Sequence, residues 1–181
     1  MSNPCGIIVF GLNGCGKTTL ARELARILNY VHMDAEDYYF RESEIPYTDV
    51  RSHDEVIRLM LADIKKHRGF VISSVTGDYG DEIMSMYSLA VYITVPTEVR
   101  INRVEQREHE RHGKRIREDG DMYEQHKKFI TFVASRSLAP VEQWAETLAC
   151  PVICIDGTTD WRTNAAKIRV ALDSRCCENY L

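Results

Sequence analysis

No apolar run in this 181-residue chain approaches the roughly 20 residues that cross a bilayer as a helix. Residues 1–5 carry no charged n-region, so the apolar run 7–10 does not read as a signal peptide. A cytoplasmic protein without membrane contact is expected. A basic excess is also missing: 23 Lys and Arg stand against 27 Asp and Glu, for a net charge of −4. That balance disfavours a protein that lives on a nucleic-acid backbone. Of the six cysteines, at 5, 15, 150, 154, 176 and 177, Cys150 and Cys154 share a C-x3-C spacing, with no second Cys or His pair nearby to complete a zinc site. Reduced thiols are expected, with Cys15 a candidate for oxidation. Internal repeats, low-complexity tracts and linkers are absent, so residues 1–181 read as one domain. The composition, 44% hydrophobic and 28% charged, suits a folded core.

What is present is an alternation. Strand-like apolar runs occur at 6–10, 30–33, 69–74, 89–95 and 151–155. Helical periodicity fills 17–29, 50–67, 97–112 (with Thr97 as N-cap) and 160–172. A longer helical stretch, 122–148, should break at Pro140. Strands separated by helices predict βαβ units: an α/β, three-layer fold on a five-stranded parallel sheet.

Between the first strand and the first helix lies Gly11-Leu-Asn13-Gly14-Cys15-Gly16-Lys17-Thr18, a full match to the phosphate-loop pattern. Glycines 11, 14 and 16 let backbone N–H groups turn inward on phosphate oxygens. The helix start adds its positive end. Lys17 brings a mobile cation to the β- and γ-phosphates. The Thr18 hydroxyl is the candidate Mg²⁺ ligand, and Thr19 a candidate donor to the α-phosphate. The expected cofactors are ATP and Mg²⁺.

Two further segments carry a resemblance. Val95-Pro96-Thr-Glu-Val-Arg-Ile-Asn-Arg103-Val-Glu-Gln-Arg107 is similar to the stretch of adenylate kinase and its relatives that enters the lid, and Ile155-Asp156-Gly157-Thr158 resembles the same family's adenine-side loop. The chain thus resembles the P-loop small-molecule kinases of the adenylate kinase and shikimate kinase-like group. The resemblance implies a helical lid at about 104–122 and an acceptor-side insert at about 35–68. It implies that Arg103 stacks on adenine, that Arg107 reaches the transferred phosphoryl group, and that Gly157 and Thr158 border the base. Independently, Arg103, Arg107 and Arg111 share one helix face, suited either to offsetting γ-phosphoryl charge or to pairing with the interleaved Glu105, Glu108 and Glu110. Lys127 or Lys128 is a further candidate for the phosphates.

On the acceptor side the pattern departs. The third strand runs into Ser73-Ser74, with no arginine for a monophosphate and no carboxylate for the metal shell. Asp34, just past the second strand, faces the ligand crevice of a parallel sheet. It reads as a base that orients a hydroxyl acceptor, as a partner in the Mg²⁺ shell, or simply as a helix N-cap; Asp37 is a weaker candidate. Arg41 or Arg51 would suit an acidic acceptor. The expected function is transfer of the γ-phosphate of ATP to a small molecule, at a hydroxyl group. A nucleoside or nucleotide monophosphate kinase is the nearest alternative, and a regulatory ATPase the alternative from another class. The Asn-Lys-x-Asp guanine motif is missing, which argues against a GTPase.

Overall fold

The computed structural model describes residues 4–178, with side chains described as far as 172. The side chains of Cys176 and Cys177 lie outside the described residues. Five strands, β1 (Cys5–Phe10), β2 (Val31–Asp34), β3 (Gly69–Ser74), β4 (Tyr87–Thr94) and β5 (Val152–Asp156), form one sheet in the order β2-β3-β1-β4-β5. Every pairing is parallel.

The central strand β1 explains the layering. Its residues alternate between two cores: Ile8 and Phe10 pack on one side, Ile7 and Val9 on the other. A strand buried on both faces must be apolar throughout, which is why it reads as an unbroken run. Helices α1 (Lys17–Leu28) and α8 (Trp161–Glu178) cover the Ile7 face. The Ile8 face is covered by α3 (His53–Ile64), α4 (Gly80–Met84) and α7 (Ala139–Ala145). Between them run α2 (Ala35–Tyr39), α5 (Thr97–His112), a 3-10 turn (Gly113–Ile116) and α6 (Tyr123–Ser135).

Several expectations shift. The long helical stretch breaks after Ser135, and Pro140 sits in the first turn of α7, where its missing N–H has no intrahelical partner to lose. Pro96, not Thr97, occupies the N-cap position of α5; the Thr97 hydroxyl instead accepts a hydrogen bond from Arg100 Nη2 at 3.2 Å. Helix α4, only five residues long, carries too little periodicity to be read. Cys15 is 1% exposed and packs beneath the sheet's Ile7 face, so its thiol is core material rather than an accessible oxidation site. No described helix is long and apolar enough to cross a membrane.

Candidate active site around the phosphate loop

The loop between β1 and α1 lies at the C-terminal edge of the sheet, where parallel strands open a crevice. All three expected glycines take positive φ, and Gly14 shows why only glycine fits. Its φ is 83°, and a Cβ there would lie 2.3 Å from the carbonyl oxygen of Arg100. The loop is thus pressed against the first turns of α5. Lys17 extends its Nζ along the loop and donates to Leu12 O at 3.2 Å. Thr19 stands exposed on the first turn of α1.

Thr18 reaches across to β2. Its hydroxyl donates to Asp34 Oδ2 at 2.8 Å. The other Asp34 oxygen accepts from the Glu36 backbone N–H at 3.1 Å, capping α2. The N-cap reading of Asp34 holds, and its second oxygen, which the cap leaves free, fixes the phosphate-loop hydroxyl. Beside it, burial pushes His32 below its ordinary value, against the opposing pull of Asp34. Its Nε2 lies 3.1 Å from Ser73 Oγ. Ser73 thus meets a histidine that burial favours as the neutral form.

Two guanidiniums converge on Asn13. Arg100, 2% exposed, donates from Nη1 to Asn13 O at 3.3 Å. Arg136, just past α6, donates from Nη1 to the Asn13 side-chain Oδ1 at 3.3 Å. Burial, and then the neighbouring Arg100, lower the Arg136 pKa. Like charges gathered at a phosphate loop favour an anion between them. Sequence reading placed this role on Lys127 or Lys128; both are exposed, and Lys127 lies over the Tyr123 ring. Arg136 lies inside the stretch 122–148 that reads as helix up to Pro140, and only the break after Ser135 and the fold bring it to the loop.

Arg103, Gly157 and Thr158, the residues expected beside adenine, lie together. Arg103 Nη1 donates to Gly157 O at 3.0 Å. A Cβ on Gly157 would lie 2.6 Å from Cys15 O. Thr158 donates through its backbone N–H and its hydroxyl to Asp156 Oδ1, at 2.8 and 2.7 Å, and these bonds hold the Asp156 carboxyl below its usual range.

Between the segment 35–50 and helices α5 and α6 lies a cavity of about 340 Å³, at the small end of the roughly 300–1,000 Å³ of ligand sites. Asn13 lines its inner end. Glu36 and Arg107 also line it; burial, then Asp34, raises the Glu36 pKa, while Arg107, Lys17 and Arg111 lower it. Arg107 pairs with Glu108, Nη2 to Oε1 at 3.1 Å. Phe40, Tyr47, Phe129 and Phe132 supply aromatic walls. Contacts across the top tie the two sides together: Arg111 Nη1 donates to Tyr47 OH at 3.0 Å, and Arg115 Nη2 to Glu44 O at 3.3 Å. Arg41 and Arg51, expected as acceptor groups, are spent elsewhere. Arg41 pairs with Asp49 and Glu55; Arg51 donates to the carbonyls of Tyr38 and Phe40.

Comparison with known proteins agrees with this architecture. The model of an AAA domain family, AAA_18, matches residues 7–124. The chain is 29% identical over 158 residues to the uncharacterized protein YqaC of Bacillus subtilis (strain 168), covering 83% of this chain and 87% of that one. Its fold is similar to a gluconokinase from Sinorhizobium meliloti 1021, with a TM-score of 0.52, 17% identity, and 99% and 97% of the two chains covered. It is also similar to a deoxyadenosine kinase from M. mycoides solved with the products dCMP and a flexible dCDP, with a TM-score of 0.55, 17% identity, and 93% and 99% covered. A parallel five-stranded sheet, a complete phosphate loop and these matches converge on one statement: the chain belongs to the AAA_18 family of nucleotide-binding AAA domains and folds as a P-loop kinase does.

Proposed function

We propose that the protein transfers the γ-phosphoryl group of ATP to a hydroxyl of a small molecule held in the cavity beside Asn13. The observation that carries this reading is the Thr18–Asp34 hydrogen bond, which couples the phosphate loop to the strand end whose next carboxylate, Glu36, lines that cavity.

The roles follow from chemistry. Backbone N–H groups of the loop, Lys17 and the Arg100–Arg136 pair bind the phosphates. Arg103 and the Gly157–Thr158 loop border the adenine. The Thr18 hydroxyl donates its hydrogen bond to Asp34, so its lone pairs remain available to a cation. Mg²⁺ takes oxygen donors alongside water and phosphate; the Thr18 hydroxyl would hold it, with Asp34 behind that hydroxyl as its outer partner. Bound with ATP, Mg²⁺ would offset negative charge on the β- and γ-phosphates.

In the transfer itself, an acceptor oxygen forms a bond to the γ-phosphorus. The bond from that phosphorus to the β–γ bridging oxygen breaks, and ADP leaves with the electron pair. The hydroxyl proton passes to the Glu36 carboxylate, whose raised pKa moves it closer to neutral pH, where a general base is most effective. Asp34, with both oxygens engaged, acts as a positioning residue. Lys17 and Arg107 offset charge on the transferring group. The segments tied across the cavity would exclude water.

The test is ATP consumption with Mg²⁺ against a panel of nucleosides, monophosphates, sugars, sugar acids and vitamin precursors, with Lys17→Ala alongside. Acceptor-dependent turnover lost in the variant is the expected result. Tight ATP binding with only slow, acceptor-independent hydrolysis would replace this reading with a regulatory ATPase.

A further inference from the structure

The cavity's charge and walls say what kind of acceptor suits it. Of the side chains that line it, only one is a permanent cation, Arg107, and it is already paired with Glu108. Glu108 is 5% exposed and also lies 3.5 Å from His112 Nε2. Glu36 adds a second carboxylate. Among the lining side chains, an acceptor carrying its own phosphate or carboxylate would meet one cation already paired and two carboxylates; Arg111 at the top is held by Tyr47 and Arg136 at the rim by Asn13. Arg41 and Arg51 are committed to Asp49, Glu55 and backbone carbonyls, so neither is available to make up the difference.

The walls favour a flat ring. Phe40 and Tyr47 meet edge to face, with centroids 5.1 Å apart, on one side of the cavity. Phe129 stands on α6, with Phe132 at the rim under the Arg136 guanidinium. One face of α6 also presents unmatched polar atoms. Gln125 Nε2 donates to Pro46 O at 3.0 Å, which fixes the amide and leaves its buried Oε1 without a partner. The buried Nδ1 of His126 likewise has none. Buried polar atoms seek partners, and here they line the same cavity as the aromatic walls. A ring edge bearing N–H or amino donors beside ring acceptors would satisfy them.

We propose that the acceptor is a neutral heteroaromatic compound with a hydroxyl arm, of the chemical class of a nucleoside: the ring between the aromatic walls, its polar edge on Gln125 and His126, and the hydroxyl towards Glu36. This rests on the kinase reading for its reaction but not for its binding chemistry, and the two separate experimentally.

Binding to nucleotide-free protein is measured by ligand-observed NMR for thymidine, deoxyadenosine and pyridoxine, against gluconate and the two 5′-monophosphates. At least one neutral ring compound binds about tenfold or more tightly than gluconate and than the monophosphates. Equal or tighter binding of the anions, or no binding across the panel, overturns the proposal. Gln125→Leu and His126→Phe provide the second arm. Each weakens the preferred heteroaromatic about tenfold and leaves benzyl alcohol, which has no ring donor or acceptor, unchanged; loss of both ligands in parallel overturns the assignment of the polar edge. Phosphoryl transfer to gluconate at a higher kcat/KM than to the neutral compounds would sink this proposal while keeping the kinase reading. Neutral-ring binding with ATP consumption indifferent to the ring compounds would do the reverse.

Discussion

Replacing Asp34 by asparagine removes one charge and keeps the shape, so it separates two duties that one side chain performs. The cap on α2 uses Oδ1 and the grip on Thr18 uses Oδ2. Asparagine caps helices about as well as aspartate, and its remaining oxygen can still accept from the Glu36 N–H. Stability of Asp34→Asn should therefore fall by about 0.5 kcal/mol or less. Its amide then faces the Thr18 hydroxyl as a donor rather than an acceptor, and the negative charge beside the candidate cation site is gone. Loss of an outer partner of a metal ligand typically lowers metal affinity or activity about 10- to 100-fold, and turnover should drop by that order. Asp34→Ala removes both bonds: about 1 kcal/mol from the cap and about 1 kcal/mol from the Thr18 partner. Its stability should thus fall by roughly 2 kcal/mol. Urea denaturation followed by circular dichroism reads the first quantity, and coupled ADP release across a Mg²⁺ titration reads the second. An Asp34→Asn protein with wild-type turnover and unchanged Mg²⁺ dependence would refute the reasoning, because nothing else distinguishes the two side chains.

Four other expectations follow from the site. Glu36→Gln should lower kcat about 100-fold or more while leaving ATP affinity within about twofold; parallel changes in both would place Glu36 in nucleotide binding instead. The raised Glu36 pKa also carries a sign for stability: the folded state holds the proton over a range where the unfolded chain has lost it. This group's contribution therefore falls as pH rises from the ordinary carboxylate range through the raised value, and Glu36→Gln should flatten that part of a denaturation-versus-pH curve. Gly14→Ala should cost about 1–3 kcal/mol from its positive φ alone, before the clash with Arg100 O, and calorimetry showing an unchanged Tm would contradict the loop geometry. Arg136→Ala should weaken ATP binding about tenfold with little effect in Lys127→Ala; equilibrium titration with a fluorescent ATP analogue decides between them.

Much of this was legible beforehand, for physical reasons that can be named. The phosphate loop is written in adjacent residues whose backbone angles demand glycine, so its position and context could be read directly. The five-stranded parallel sheet followed from apolar runs separated by helical periods, whereas its strand order did not. Family resemblance set Arg103 and Gly157 each beside adenine without pairing them, and the fold brings the two within hydrogen-bond distance of each other. Arg100 and Arg136 were not legible. One is buried under the loop and the other follows a helix end 123 residues beyond Asn13, and only tertiary structure unites such positions. Glu36 was overlooked because it lies among three other polar residues, and nothing local shows which of them lines a cavity. The fate of Arg41 and Arg51 was equally hidden, since a charge in an insert does not announce its partner.

Asn13 has a mechanical meaning that follows from its two guanidinium bonds. One comes from the root of α5 and the other from the far end of α6, so the excursion of chain from 97 to 136 leaves the nucleotide loop and returns to it at a single residue. A flap fastened at both roots swings as a hoop rather than as a free arm. Its roots are held to the phosphate loop, and its crest, around the 3-10 turn, would have to give up the Arg111–Tyr47 and Arg115–Glu44 contacts to move. Whatever fills the loop pulls on both roots at once, so the crest would respond to the nucleotide as a unit.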